Sequence, residues 1–202
     1  LGSRVRYAKD RKADIFVALH NNASFSRKMN GVSVYYPNIN YNTKVGKEGR
    51  NAASYIQKEL VSLGIKNNGI HYRNTESGSK YPNKSKSDYY SVIRQSKLGG
   101  FPGLIVEHAF VSNSSDCSQF FSSADKLKKL GEADAEGLAK YYGLVEKDTP
   151  VLESAQADED GNVHLQWDAM DEMDGYRVYR RAQGVSSYTK IATIKDESET
   201  DY

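Results

Sequence analysis

Apolar and polar positions change rhythm several times along these 202 residues. In "DIFVALH" and "GVSVYYP" the apolar residues cluster in short runs, which predicts buried strands. "EGRNAASYIQKELVSLG" instead places Ala52, Ile56, Leu60 and Leu63 at helical spacing and stops at Gly64. Residues 66–87 are polar and rich in Gly, Ser, Asn and Lys, and read as a long loop or insertion. After it, "DYYSVIR" reads as a mixed strand and "GLIVEHAF" as a near-continuous apolar strand. "SADKLKKLGEADAEGLAKYYG" predicts a closing helix that ends on Gly143, with Leu127, Leu130, Ala133, Leu138 and Tyr141 on its apolar stripe. The order strand, strand, helix, strand, strand, helix predicts an α/β fold with a mostly parallel central sheet flanked by helices.

The rhythm shifts again near residue 145. "VEKDTPVLES" is a short charged link, and beyond it the period is two: "NVHLQW", "GYRVYRR" and "YTKIATI" are strands separated by the turn signals "DEDG" and "DEMDG". Trp167 and Tyr176 are the expected core aromatics of this all-β module. Its roughly 50 residues fall short of the ~100 of a seven-stranded sandwich, so the module reads as incomplete. No repeat of 20–50 residues is visible.

The formal charge of +2 comes from 28 basic and 26 acidic residues read as spread along the chain, so no nucleic-acid partner and no membrane insertion are expected. No apolar run approaches the ~18 residues of a membrane span, and no signal-peptide core is seen. The first residue is Leu1 rather than Met, and the chain reads as a piece of something longer. Cys117 is the only cysteine, which excludes an internal disulfide and a thiolate zinc cluster; it is expected to be a buried small apolar residue.

Two strands end on residues that carry chemistry. "DIFVALH" finishes on His20, and "GLIVEHAF" reaches Glu107 after four apolar positions. Ligands of open α/β sheets bind beyond the carboxyl ends of parallel strands, so the two would converge on one crevice if the strands are neighbours. On position alone, two strand-end residues meeting solvent remain an equal reading. The chemistry available to the pair is metal-assisted hydrolysis, with His20 as a zinc ligand and Glu107 as the carboxylate that takes a proton from water. His108 follows Glu107 directly, so it faces the opposite side of the strand and is read as structural. His71 is expected on the loop surface, and His164 belongs to the β module. One good zinc ligand is then present where three are needed.

The blocks "ADIFVALHNNA", "GVSVYY", "IQKELVSLGIKNNGIHYR" and "FPGLIVEHAFVSNSSD", in that order, resemble the C-terminal part of a zinc-dependent N-acetylmuramoyl-L-alanine amidase of the autolysin kind. The resemblance implies a secreted or cell-wall hydrolase that cuts the amide between N-acetylmuramic acid and L-alanine in peptidoglycan, its partner. It implies His20 as the last zinc ligand, Glu107 as the catalytic residue, and Asn22 and Arg94 as substrate-binding or site-shaping residues. Asn113 is expected to build the turn after Glu107. The family's other ligands, a histidine and a glutamate, would lie upstream of residue 1 together with a strand and a helix, and this fragment alone is expected to be inactive. Residues 149–202 resemble the first half of a fibronectin type III domain, which sets the expected domains at 1–146 and 149–202. The alternative is a peptidoglycan-binding or adhesion protein with a degenerate amidase fold.

Overall fold

A computed structural model describes residues 2–144, 150–170, 175–196 and 198–202. Residues 145–149 of the expected link and most of the "DEMDG" turn lie outside them. The chain divides into two compact units, Leu1–Val145 and Glu146–Tyr202.

The first unit opens with a helix not expected from the sequence, α1 (Ser3–Asp10), of which only Val5 is buried. Then come β1 (Phe16–Asn22), β2 (Val32–Tyr35) and α2 (Thr43–Ser62). The Asn42 side chain accepts the Val45 N–H at the start of α2, so the helix begins at Thr43, ahead of the segment from Glu48 whose spacing predicts it, and buries Val45 in its first turn. Next are β3 (Asn67–His71), α3 (Ser91–Gly99) and β4 (Gly103–Phe110). The short α4 (Ser114–Asp116), a π-helical turn at Cys117–Phe121 and α5 (Ala124–Tyr142) complete the unit.

The four strands form one mixed sheet in the order β1-β4-β2-β3. β1 and β4 are parallel, as are β2 and β3, whereas β2 runs antiparallel to β4. Val32, Val34, Leu104 and Val106 pack with Ala52, Ile56 and Leu60 of α2 and Leu130 and Ala133 of α5. Burying each of the larger aliphatics contributes roughly 1.5–3 kcal/mol. Gly137 lets α5 lie against the α2 backbone: a β-carbon there would sit 2.6 Å from the Ile56 Cα. Leu63 and Leu127, assigned to the apolar stripes, are instead exposed, because Leu63 falls at the end of α2 and Leu127 in the first turn of α5.

The opposite face of the sheet is covered by α3, against which α1 rests. Segment "DYYSVIR" is therefore not a strand. Its β-branched Val92 and Ile93 mimic one locally, but Ile93, Ser96 and Lys97 bury at helical spacing and left-handed Gly100 ends the helix. The long polar loop likewise contains a strand: β3 has Ile70 as its only aliphatic side chain and forms through backbone pairing with β2.

The remaining irregular stretch is anchored by a buried ion pair. The Lys97 ammonium lies 2.6 Å from both the carbonyl and the Oδ1 of Asn38 and 3.5 Å from Asp88 Oδ2. Asp88 also accepts the Asn38 N–H and the Tyr81 hydroxyl. Burial pushes Lys97 below its ordinary pKa, against the pull of Asp88.

The second unit holds β5 (Leu152–Ala157) paired antiparallel with β6 (Val163–Trp167), and β7 (Tyr176–Arg180) paired antiparallel with β8 (Thr189–Ile194). β5 begins inside the expected link. The Trp167 and Tyr176 rings meet edge to face at 5.2 Å, with Val178 beside them.

Lys97→Met should destabilise the chain by about 3–5 kcal/mol, because it leaves Asp88 and the Asn38 oxygens buried without their cation. Urea denaturation measures this, with exposed Lys128→Met expected within about 0.5 kcal/mol of the parent.

Candidate active site

The parallel register of β1 on β4 sets His20 directly beside Glu107, while antiparallel β2 sets Ser33 on the other side of the same glutamate. Neighbours across a sheet share a face, so His20, Glu107 and Ser33 form one row. Neither His20 nor Glu107 ends its strand. β1 continues to Asn22 and β4 to Phe110, with a register irregularity between His20 and Asn22.

The row stays open because α3 covers only the start of β4. Ser96 packs where Gly103 has no side chain: a β-carbon there would meet its Oγ at 2.7 Å. Gly103 and Glu107 are four residues apart on one face, about 13 Å along the strand. His20 is exposed and Glu107 partly buried, and Glu107 Oε2 is a buried oxygen with no hydrogen-bond partner. Burial pushes the Glu107 carboxyl above its ordinary pKa, while His20 and His108 pull it back.

His108 lies on the core side. Its Nδ1 is 3.0 Å from the His20 carbonyl oxygen and its Nε2 is 2.7 Å from Asp134 Oδ2 of α5. The ring thus ties the backbone of His20 to the helical layer, which fixes where the His20 side chain emerges. Asp116 Oδ2 closes the strand end by accepting the N–H groups of Phe110 and Gly31. Asn113 caps α4 and donates to the Arg27 carbonyl, joining the loops after β4 and β1.

A tyrosine wall also flanks the row. Tyr35, two residues beyond Ser33, meets Tyr90 edge-on at 5.0 Å and the His71 ring at 5.8 Å. Burial first, then Tyr90 and the Glu107 charge, push the Tyr35 hydroxyl up to about 12. Arg73 lies 3.7 Å over the Tyr89 ring and 2.7 Å from Glu76. Tyr35, Tyr90 and Arg73 were not read from the sequence. The parity of "SVY" in β2 was available, but no local pattern shows that residues 73–90 fold back onto that face.

The other expected site residues are placed as follows. Asn22 Oδ1 accepts the Ala23 N–H and its carbonyl accepts the Val111 N–H. Arg94 lies in α3 and donates to the carbonyls of Asp88 and Tyr89, holding the turn that carries Tyr90. His71 is exposed on β3. Cys117 is half-buried rather than buried, its Sγ 3.1 Å from the Val111 carbonyl, because the π-helical turn keeps it near the surface.

Against the needs of a hydrolytic zinc, three protein donors and one open position, the described residues fit in part. The exposed His20 ring and the unpartnered Glu107 oxygen share a face, but no group of three His, Cys, Asp or Glu occurs among the described residues.

Comparison with known proteins defines the class. The profile of the N-acetylmuramoyl-L-alanine amidase family matches residues 1–140. N-acetylmuramoyl-L-alanine amidase LytC of Bacillus subtilis is 30% identical over 143 residues, which cover 70% of this chain and 24% of LytC. Cwp6 from Clostridium difficile superposes with a TM-score of 0.57 at 31% identity, over 69% of this chain and 20% of Cwp6. The amidase AmiC2 of Nostoc punctiforme superposes with a TM-score of 0.53 at 25% identity, over 71% and 66%. The class is a hydrolase-family domain built on a mixed sheet flanked by helices. The chain belongs to the N-acetylmuramoyl-L-alanine amidase family, and it spans about a quarter of the length of LytC.

A carboxyl whose folded pKa is raised favours the protonated folded chain, so its stability is full below the unfolded pKa and falls as pH rises through the folded one. In the metal-free chain, Glu107→Gln should therefore melt higher than the parent at pH 7. The gap should close as pH drops below the ordinary carboxylate range, which thermal melts at a series of pH values will show.

Proposed function

We propose that this chain is part of a peptidoglycan amidase, acting at the cell wall, that hydrolyses the bond between the lactyl group of N-acetylmuramic acid and the first L-alanine of the peptide stem. The observation that carries the reading is the in-register placement of His20 beside Glu107, with one carboxylate oxygen unpartnered, in a chain of this family. His20 serves as one zinc ligand, the others being donors outside the described residues. Consistent with this, β1 is an edge strand whose outer backbone groups can pair with a further strand. Zinc, when bound, would supply a water of lowered pKa and polarise the scissile carbonyl.

Glu107 takes the proton from water as its oxygen bonds to the amide carbon. The C–N bond then breaks, and the proton passes from Glu107 to the departing alanine nitrogen, leaving a carboxylic acid and a free amino terminus. The raised pKa of Glu107 suits both halves of this transfer. His108 acts through His20 as a positioning residue, and the Tyr35–Tyr90 wall borders the path of the substrate. Asn22 and Arg94 shape the site through the turns they hold. The second unit is read as a fibronectin type III-like docking or spacing module, with domains at 1–146 and 149–202.

A second reading, a peptidoglycan-binding protein that does not cut, draws on the lack of a three-donor group among the described residues. Wall digestion by the whole protein carrying this chain separates the two. New alanine amino termini should appear, vanish with chelator, and fall by about 10²–10⁴-fold in Glu107→Ala. Intact walls to which the protein stays bound would favour the second reading. The 202 residues alone should bind zinc weakly by calorimetry and give no turnover; turnover from them would overturn the three-ligand account.

A further inference from the structure

The net charge of +2 conceals a partition between the two units. Leu1–Val145 carries 22 Lys and Arg against 12 Asp and Glu, a formal +10, whereas Glu146–Tyr202 carries 6 against 14, a formal −8. Charge is thus not spread evenly along the chain, as its overall balance suggests.

Within the basic unit the cations concentrate at one place. Arg4, Arg6, Lys9, Arg11 and Lys12 fall within nine residues, all exposed, with Asp10 as the only acid among them. Arg4, Arg6 and Lys9 lie along α1, and Arg11 and Lys12 follow its end. Lys9 and Lys12 then border a cleft of about 360 Å³ that Lys44, in the first turn of α2, also lines. Two acids also line the cleft, Asp14 and Glu48, and Glu48 lies 3.7 Å from Lys44. Lys47 and Arg50, exposed on α2, extend the cationic surface.

The cleft includes Ala13 and Asp14, just before β1, and Pro102, just before β4. It therefore sits at the starts of the two strands whose later residues present His20 and Glu107. A ligand bound there leaves the candidate active site free. Exposed cations strung along a helix and into an open cleft suit an extended chain of anions better than a single enclosed one, since each neutralised anion releases counterions. α1 buries only Val5 and offers no apolar face for a membrane.

We propose that α1 and the Lys9, Lys12 and Lys44 cleft form a docking surface for a linear polyanion of phosphodiester-linked polyols. The choice of polyanion rests on the peptidoglycan reading, which places the chain among wall polymers, whose phosphate-bearing members have this chemistry. Docking at one end of the sheet would concentrate the enzyme on the wall while the other end meets substrate.

The test is titration of a fluorescent poly(glycerol phosphate) with the 202-residue chain at several salt concentrations. The parent should bind with strong salt dependence. Lys9→Glu/Lys12→Glu/Lys44→Glu should weaken binding by at least ~10-fold and flatten the salt slope. Lys58→Glu/Lys128→Glu/Lys129→Glu makes the same change in net charge elsewhere and should stay within ~3-fold of the parent. Arg4→Glu/Arg11→Glu, at exposed positions in α1 and at its C-terminal cap, gives a second reading of the same surface should the first triple not fold. Absent binding by the parent, equal losses in both triples, or tighter binding to duplex DNA would overturn the proposal. Binding is scored without cleavage, so an intact wall in the digestion assay and a polymer that fails to bind are separate results.

Discussion

One pairing register, β1 laid parallel on β4, is the constraint from which the rest follows. Strand side chains alternate with a period of two, so sliding β1 by one residue would turn His20 into the helical layer and set Leu19 beside Glu107. What holds the register is the contrast between the two faces of β4. Leu104 and Val106 must meet the apolar sides of α2 and α5, and His108 must reach Asp134 and the His20 carbonyl. The same alternation leaves Glu107 on the side where α3 stops short. A glutamate half out of water beside an exposed imidazole is then a consequence of core packing, not of a local motif.

The parts legible in the sequence were those that packing writes as periodicity. The apolar runs of β1, β2 and β4 and the stripes of α2 and α5 announce themselves, and alternation alone separates Glu107 from His108. Elements whose cause lies elsewhere in the chain were misread or missed. α3 looks like a strand over "YYSVIR" because its helical burial includes a lysine, and a buried Lys97 makes sense only with Asp88 and Asn38 around it. β3 has little apolar signal because it sits at the sheet edge and is held by backbone pairing and by Gln57, whose Nε2 bridges the Val32 carbonyl and Asn67 Oδ1. The antiparallel placing of β2, which brings Ser33 and Tyr35 to the site, depends on tertiary order that no local pattern encodes.

The buried Lys97 and Asp88 pair connects fold and site. By holding residues 74–90, it presents Tyr90 to Tyr35, on the face that Glu107 shares, and Arg94 secures the same turn through two carbonyls. A polar insertion is thereby made into a wall without an apolar core of its own. The division of charge between the two units adds a further layer. The unit bearing the candidate active site is strongly basic, the β unit is strongly acidic, and the net figure hides both.

The register of β1 on β4 can be read by nuclear Overhauser contacts in the isotope-labelled 202-residue chain. The register shown requires contacts between the β-protons of His20 and those of Glu107, and between the His108 ring and the β-protons of Asp134. Contacts from His20 to the side chains of Val106 or Leu130 in their place would contradict it, because His20 would then face the core and the site would not exist.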